Sequence, residues 1–295
     1  MKEKKLFGPN ECSFLRWIVT ALVGSGAGML LCAPFISYMD NRVDTFMGIT
    51  CADFFAVLFF IPLFVCTVLA IKFVAKTSLK DFVLGVGGKI DKKTSLLVFG
   101  LFVLGMGLVC LVSLNNIRVR AVNPGQYAFL VVFMLLLVWL QTTFEELVFR
   151  GLLLRWVCKN NIGYSKKAWI VGVITAVAFA LCHAPNPEVT SQSGWNIVFA
   201  LLAYAVPGII FFWANMHFKS LLPGIIMHWF NNFFLMTIFG SESAVVGTPT
   251  LLIDGTPQSG VWSFVSNILL HLPIMVYMIV DIIVKKKKSA SVNAK

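Results

Sequence analysis

The chain has 295 residues, of which 58% are hydrophobic and only 13% charged, and its mean hydropathy is +0.85. A soluble domain of this size could not bury so much apolar surface, so composition excludes an ordinary globular enzyme and predicts an all-α, polytopic membrane protein. The net charge of +11 does not call for a nucleic-acid partner, because the basic residues fall in short segments between apolar runs, as the positive-inside bias requires.

The chain opens on a basic stretch ending at Lys5, followed by an apolar run over 14–39. That run is too long for a signal-peptide core and lacks a small-residue cleavage site, which makes it a first membrane helix. A second span is expected over 52–74 and a third over 96–114. Between them, residues 76–94 with Gly85, Gly87 and Gly88 form a short amphipathic elbow on the cytoplasmic membrane surface. Further spans are expected over 127–157, 168–182, 197–214, 221–239 and 262–284, which brings the total to about eight transmembrane helices around a buried intramembrane active site. There is no internal repeat, and the only low-complexity tract is the lysine run 285–288. Three segments follow from this reading. Residues 1–120 hold the N-terminal helices and the elbow, 121–240 a catalytic core of four helices, and 241–295 the last helix with its basic tail.

Orientation follows from the charges. With the N-terminus in the cytoplasm, 21 of the 24 Lys and Arg lie on that side, and only Arg42, Arg118 and Arg120 fall outside. Both termini are therefore expected in the cytoplasm. Cys12, Cys32, Cys51, Cys66, Cys110, Cys158 and Cys182 are scattered without a Cys-x-x-Cys pair, as expected of small buried hydrophobes without a disulfide framework.

Three charges, Glu145, Glu146 and Arg150, cluster inside the fourth apolar run. An ionised side chain at the bilayer centre costs at least about 2.5–3.5 kcal/mol on insertion scales, and such residues usually mark function. Glu146 and Arg150 stand i,i+4 on one helix face and can pair. Glu145 is rotated by roughly 100° from Glu146, with no basic residue three or four positions away, so it is the carboxylate available for chemistry. Two of the four histidines keep patterned company. Phe179 and His183 are i,i+4 at the end of the fifth span, and His228 and Asn232 are i,i+4 in the seventh. Asn231 is rotated off that second face. At ~1.5 Å per residue, Glu145 and His183 both reach roughly 20–30 Å above the turn that joins their helices, so they can meet at one depth. His271, before Pro273, belongs to no pattern and is expected to be structural. His217, beside Lys219 in a short turn, is expected to be solvated.

Glu-Glu-x-x-x-Arg at Glu145, Glu146 and Arg150, Phe-x-x-x-His at Phe179 and His183, and His-x-x-x-Asn at His228 and Asn232 follow one another on successive apolar helices. In that order they resemble the CAAX protease and bacteriocin-processing (Abi) family of intramembrane endopeptidases, related to the type II CAAX prenyl endopeptidases. The resemblance covers roughly 144–232. It implies Glu145 as general base, His183 as the group that holds and polarises the water, and His228 and Asn232 as hydrogen-bond donors to the oxyanion. Arg150 would hold Glu146 and so fix the helix register. Family members are described both as metalloproteases and as glutamate proteases. Either zinc sits on Glu145, His183 and His228, or no cofactor is required. The absence of His-Glu-x-x-His and the presence of Asn232, a poor zinc ligand and a good amide donor, favour the direct mechanism.

The alternatives come from other classes. The same residues would serve a non-catalytic bacteriocin self-immunity or scaffold protein as a stabilising network, with His228 and Asn232 as interhelical hydrogen-bond donors. A secondary transporter should show repeat symmetry with broken helices in matching positions. Pro207-Gly208 and Pro223-Gly224 have no matching half. The expected partners are a peptide or membrane-protein substrate and the lipid bilayer. The expected setting is a bacterial plasma membrane, with 285–288 as a basic anchor to anionic lipid.

Overall fold

The computed structural model describes residues 14–39, 45–46, 49–50, 58–84, 88–153, 166–241, 249–256 and 259–293. Its helices are α1 (Phe14–Met39), α2 (Phe60–Phe73), α3 (Leu79–Leu84), α4 (Lys92–Ser113), α5 (Pro124–Glu146), α6 (Lys166–Cys182), α7 (Pro187–Thr190), α8 (Trp195–Phe218), α9 (Leu222–Thr237) and α10 (Gly260–Asn293). Among the described residues, five helical stretches are long and apolar enough to cross a membrane: Leu15–Cys32, Lys92–Asn116, Pro124–Leu152, Trp195–Phe218 and Gly260–Lys287. The apolar helix Phe60–Phe73 is shorter. With 17 and 16 residues, α6 and α9 also fall short of the ~20 that a perpendicular span needs. The protein is an all-α membrane protein in its architecture. Residues 52–57, Gly85, Gly87 and the expected turn between the fourth and fifth spans lie outside the described residues.

Local chemistry sets the helix starts. Asn123 caps α5 by accepting from the Gly125 and Gln126 amides, with Pro124 in the first turn, where its missing N–H costs nothing. Asp91 caps α4 in the same way through Lys93 and Thr94. The α8 end is a left-handed Lys219 at φ 53°. Just beyond it, the buried Asn215 amide oxygen accepts the Gly224 N–H at 2.9 Å, so one side chain ties the end of α8 to the start of α9.

Small residues let the helices approach closely, the usual device where lipid removes a hydrophobic drive between helices. A Cβ on Gly28 would stand 2.7 Å from the Leu63 Cα, which locks α1 against α2. A Cβ on Gly105 would lie 1.8 Å from the Leu270 carbonyl oxygen, so α4 and α10 pack backbone to backbone. The last helix thus shares one buried cluster with α4, α8 and α9, through Phe102, Phe211, Met227, Leu270 and Ile274.

Two features differ from the sequence expectation. The elbow does not merely lie on the surface. Phe82 on α3 is fully buried, the Val83 carbonyl accepts the Leu221 N–H at 2.9 Å, and Phe82 fills the notch left by Gly151. A hexapeptide helix with one aromatic residue gains more by seating that ring in a core than by floating it at an interface. The second difference is a three-stranded sheet. Strand β5 (Leu252–Asp254) pairs antiparallel with β3 (Ile117–Val119) and parallel with β4 (Phe239–Ser241). A separate short pair joins β1 (Thr45–Phe46) to β2 (Ile49–Thr50). The described cysteines Cys32, Cys66, Cys110 and Cys182 are free thiols, and Cys182 is exposed where a buried hydrophobe was expected.

Candidate active site

The charged cluster sits where α5 changes character. Its α-helical turns end at Glu146, and residues Leu147–Leu152 continue as a π-helix. Single π turns inside α-helices often occur at functional sites. Arg150 still reaches back to Glu146, with Nη1 donating to Oε1 at 2.8 Å and both side chains fully buried. The expected pair is therefore formed. No solvent reaches it, so Arg150, counted on the cytoplasmic side by its place near the end of the fourth helix, is an interior charge.

Phe179 supplies the rest of the guanidinium's environment. Arg150 Cζ lies 4.3 Å from the centroid of the Phe179 ring, with Phe149 and Phe211 each at 5.9 Å. A desolvated guanidinium over aromatic faces recovers part of the lost hydration. The Phe179 ring also stands 4.5 Å from His183 and 5.7 Å from His228, so one motif residue touches three others.

Glu145 faces the other way. It is 6% exposed and borders a cavity of about 730 Å³ inside the bundle. His183, His228, Asn231 and Asn232 line the same cavity, whereas Glu146 and Arg150 do not. The Gln141 amide donates to Glu145 Oε1 at 3.3 Å. Glu145 Oε2 makes no hydrogen bond among the described residues, although His228 Nε2 stands 3.4 Å away. His228 links the two carboxylates. Its Nδ1–H donates to Glu146 Oε1 at 3.0 Å, and its Nε2 is turned to Glu145. That bond to Glu146 fixes the tautomer and the ring direction.

His183 is the first residue past α6 and is half-buried. Its Nδ1–H donates to the Phe179 carbonyl at 2.8 Å, which leaves Nε2 free of that bond. Asn232 accepts from the Asn231 amide at 3.0 Å, so the neighbour expected to be rotated away also borders the cavity.

The seven motif residues Glu145, Glu146, Arg150, Phe179, His183, His228 and Asn232 come from α5, its π extension, α6 with the residue after it, and α9. The model of the family described as Type II CAAX prenyl endopeptidase Rce1-like matches residues 127–234. Over these residues the chain is similar to that family. No curated protein matches the sequence. The Rce1-like region runs from the first turn of α5 almost to the end of α9 and contains every motif residue. What the family supports in general is an intramembrane protease of the CAAX type.

Zinc on Glu145, His183 and His228 is the open alternative in this region. Among the described residues, no three His, Cys, Asp or Glu side chains stand together in a way that could hold a metal ion. His183 and His228 each use Nδ1 on a protein acceptor, the Phe179 carbonyl and Glu146, which leaves both Nε2 atoms free of those bonds, as in histidines that ligate a metal through Nε2.

Several residues near the Rce1-like motifs escaped sequence reasoning. Gln141 lies one turn before Glu145, and its i,i+4 spacing was a usable signal. Tyr204 and Glu188 gave none, because they reach the site from α8 and α7 only through the fold. The Tyr204 ring stacks on His183 with centroids 4.2 Å apart, and its hydroxyl donates to Glu188 Oε1. Two histidines are also reassigned or defined. His217 is not solvated: its side chain is 4% exposed and Nε2 pairs with Asp281 at 2.8 Å. Its turn packs against α10, which removes it from water. His271 is fully buried, bonded to the Asn267 carbonyl at 2.7 Å and wedged beside Phe102 and Phe211.

Proposed function

We propose that this protein is an intramembrane endopeptidase that hydrolyses a peptide bond with water activated directly by Glu145 and His183. The observation that carries the reading is the division of the charged cluster. Glu145 borders the cavity with His183, His228 and Asn232, while Glu146 and Arg150 pair behind its wall. Carboxylates one residue apart thus occupy different environments, as expected when one reacts and the other supports.

In this scheme Glu145 takes a proton from water as its oxygen forms a bond to the scissile carbonyl carbon. His183 Nε2 helps hold the water. The resulting oxyanion accepts hydrogen bonds from the Asn232 amide and from His228, whose Nε2 donates when the ring carries a proton on both nitrogens. Glu145 then passes its proton to the departing amine as the C–N bond breaks. Glu146 fixes the His228 ring, and Arg150 neutralises Glu146. No metal is required by these steps.

The substrate class is a peptide or the tail of a membrane protein, presented from the bilayer. About eight transmembrane helices, with both termini in the cytoplasm of a bacterial cell, are part of the same proposal. Charge placement supports it. Lys92 and Lys93, Lys166 and Lys167, Lys219 and the 285–288 run lie at helix ends expected on the cytoplasmic face, and Arg118 and Arg120 lie at β3 on the other. The deciding experiment is cleavage of a reporter peptide by purified protein in vesicles. Turnover by the unaltered protein and none by Glu145→Gln is the expected result. Equal turnover by both would remove the proposal.

A further inference from the structure

Tyr204 has a place in the site that none of the motifs assigns. Its ring lies nearly parallel to the His183 imidazole, with centroids 4.2 Å apart and an interplanar angle of 23°. Phe179 holds the imidazole at 4.5 Å, and the Phe179 carbonyl accepts its Nδ1–H at 2.8 Å. The His183 side chain, just beyond its helix, is thus held by two aromatic rings and one hydrogen bond. The Tyr204 ring is itself anchored. Its hydroxyl donates to Glu188 Oε1 and accepts from the Asn186 amide at 3.1 Å, and that amide also donates to the same Glu188 oxygen at 3.3 Å. Tyr204, Glu188 and Asn186 all border the cavity that holds Glu145.

A side chain placed only to fill space would not need a carboxylate and an amide on its hydroxyl. A tyrosine that must present one face at a fixed distance does. We infer that Tyr204, braced by Glu188 and Asn186, is a positioning residue that clamps the His183 imidazole with Nε2 available to the cavity. The inference rests on the endopeptidase reading for its kinetic consequence, but the clamp is a statement about His183 alone. Reacting groups displaced by about 1 Å lose up to about a hundred-fold in rate. Loosening the clamp therefore lowers kcat and leaves KM nearly unchanged, because the cavity that holds substrate is kept.

The test compares Tyr204→Leu, which removes the stack, with Tyr204→Phe and Glu188→Gln, which keep a ring and weaken its anchor. Turnover is measured per folded molecule. Tyr204→Leu is expected to lower kcat about ten- to a hundred-fold, Tyr204→Phe and Glu188→Gln less, and a Tyr204→Trp protein is expected to recover part of the loss by restoring a face. A second readout needs no substrate. Nitrogen-15 spectra of histidine-labelled protein in detergent, assigned with His183→Gln, report the tautomer of His183. A single Nδ1-protonated form is expected with Tyr204, and a mixture or exchange broadening in Tyr204→Leu. Wild-type kcat per folded molecule with unchanged His183 signals in Tyr204→Leu would overturn the inference, as would a loss of folded protein alone. If the unaltered protein cleaves nothing while the His183 signals respond as described, the clamp stands and the endopeptidase reading falls.

Discussion

At the residue scale, Glu145 and Glu146 differ because one borders a cavity and the other is enclosed by Arg150 and His228. Glu145→Gln keeps a similar shape and leaves no charge stranded, so it is expected to abolish turnover with nearly normal folded yield. Glu146→Gln strands the Arg150 cation and Arg150→Met strands the Glu146 anion. Each is expected to cost about 3–5 kcal/mol, as breaking a buried pair does, and the double variant less than the sum. Fluorescence-detected thermal unfolding in detergent measures all four. Similar destabilisation by Glu145→Gln and Glu146→Gln would contradict the division of roles. The assignment of His228 carries its own expectation. Losing an oxyanion donor costs on the order of a hundred- to a thousand-fold in rate, so His228→Ala should fall in that range without changing metal content. Elemental analysis of active protein completes the check, since one zinc per chain, lost together with activity, would make the direct mechanism wrong.

At the scale of elements, close helix packing replaces the hydrophobic drive that lipid removes. The α4–α10 contact cannot yield easily, because a Gly105 side chain would meet the Leu270 backbone and not a movable side-chain end. Gly105→Leu must push the helices apart, and overpacking of this kind typically costs about 1–3 kcal/mol. Gly107 has open space at its Cβ and serves as the control on the same helix. A lower unfolding temperature for Gly105→Leu than for Gly107→Leu is expected, and equal values would show that α10 is not held as described. The elbow makes a similar point. Its seat is the notch at Gly151, directly after Arg150, so α3 props the π segment that carries the charged cluster.

For the whole molecule, the proposed orientation rests on the charges at the helix ends. Single cysteines at Ser193 and at Lys286, both exposed positions, are expected to label from opposite sides of the membrane in a background without the native cysteines, Ser193 from outside and Lys286 from the cytoplasm. Labelling of both from one side would overturn the topology. The three-stranded sheet brings the segment after α4, the end of α9 and the approach to α10 together. Asp254 accepts from Ser113 and from the Trp262 indole, which ties that sheet to the end of α4 and the start of α10. Phe239, Gly240 and Asp254 also border the cavity, so the sheet closes part of its wall.

The sequence by itself determined the all-α membrane class, the approximate helices and the motif residues. Apolar runs and i,i+4 spacing are local properties, and a charge inside an apolar run is conspicuous wherever the chain goes. It also separated the two glutamates, because helix periodicity fixes their relative rotation. Only the tertiary structure decided that Phe179 would serve Arg150 and both histidines at once, that His228 would bridge Glu145 and Glu146, and that Tyr204 and Glu188 would reach His183. Apart from the i,i+4 pair of Phe179 and His183, those contacts join residues far apart in the chain, and no periodicity encodes them. The π turn after Glu146 and the short sheet were hidden for the same reason. Both exist because neighbouring helices and strands supply the packing and hydrogen bonds that their own sequences do not specify.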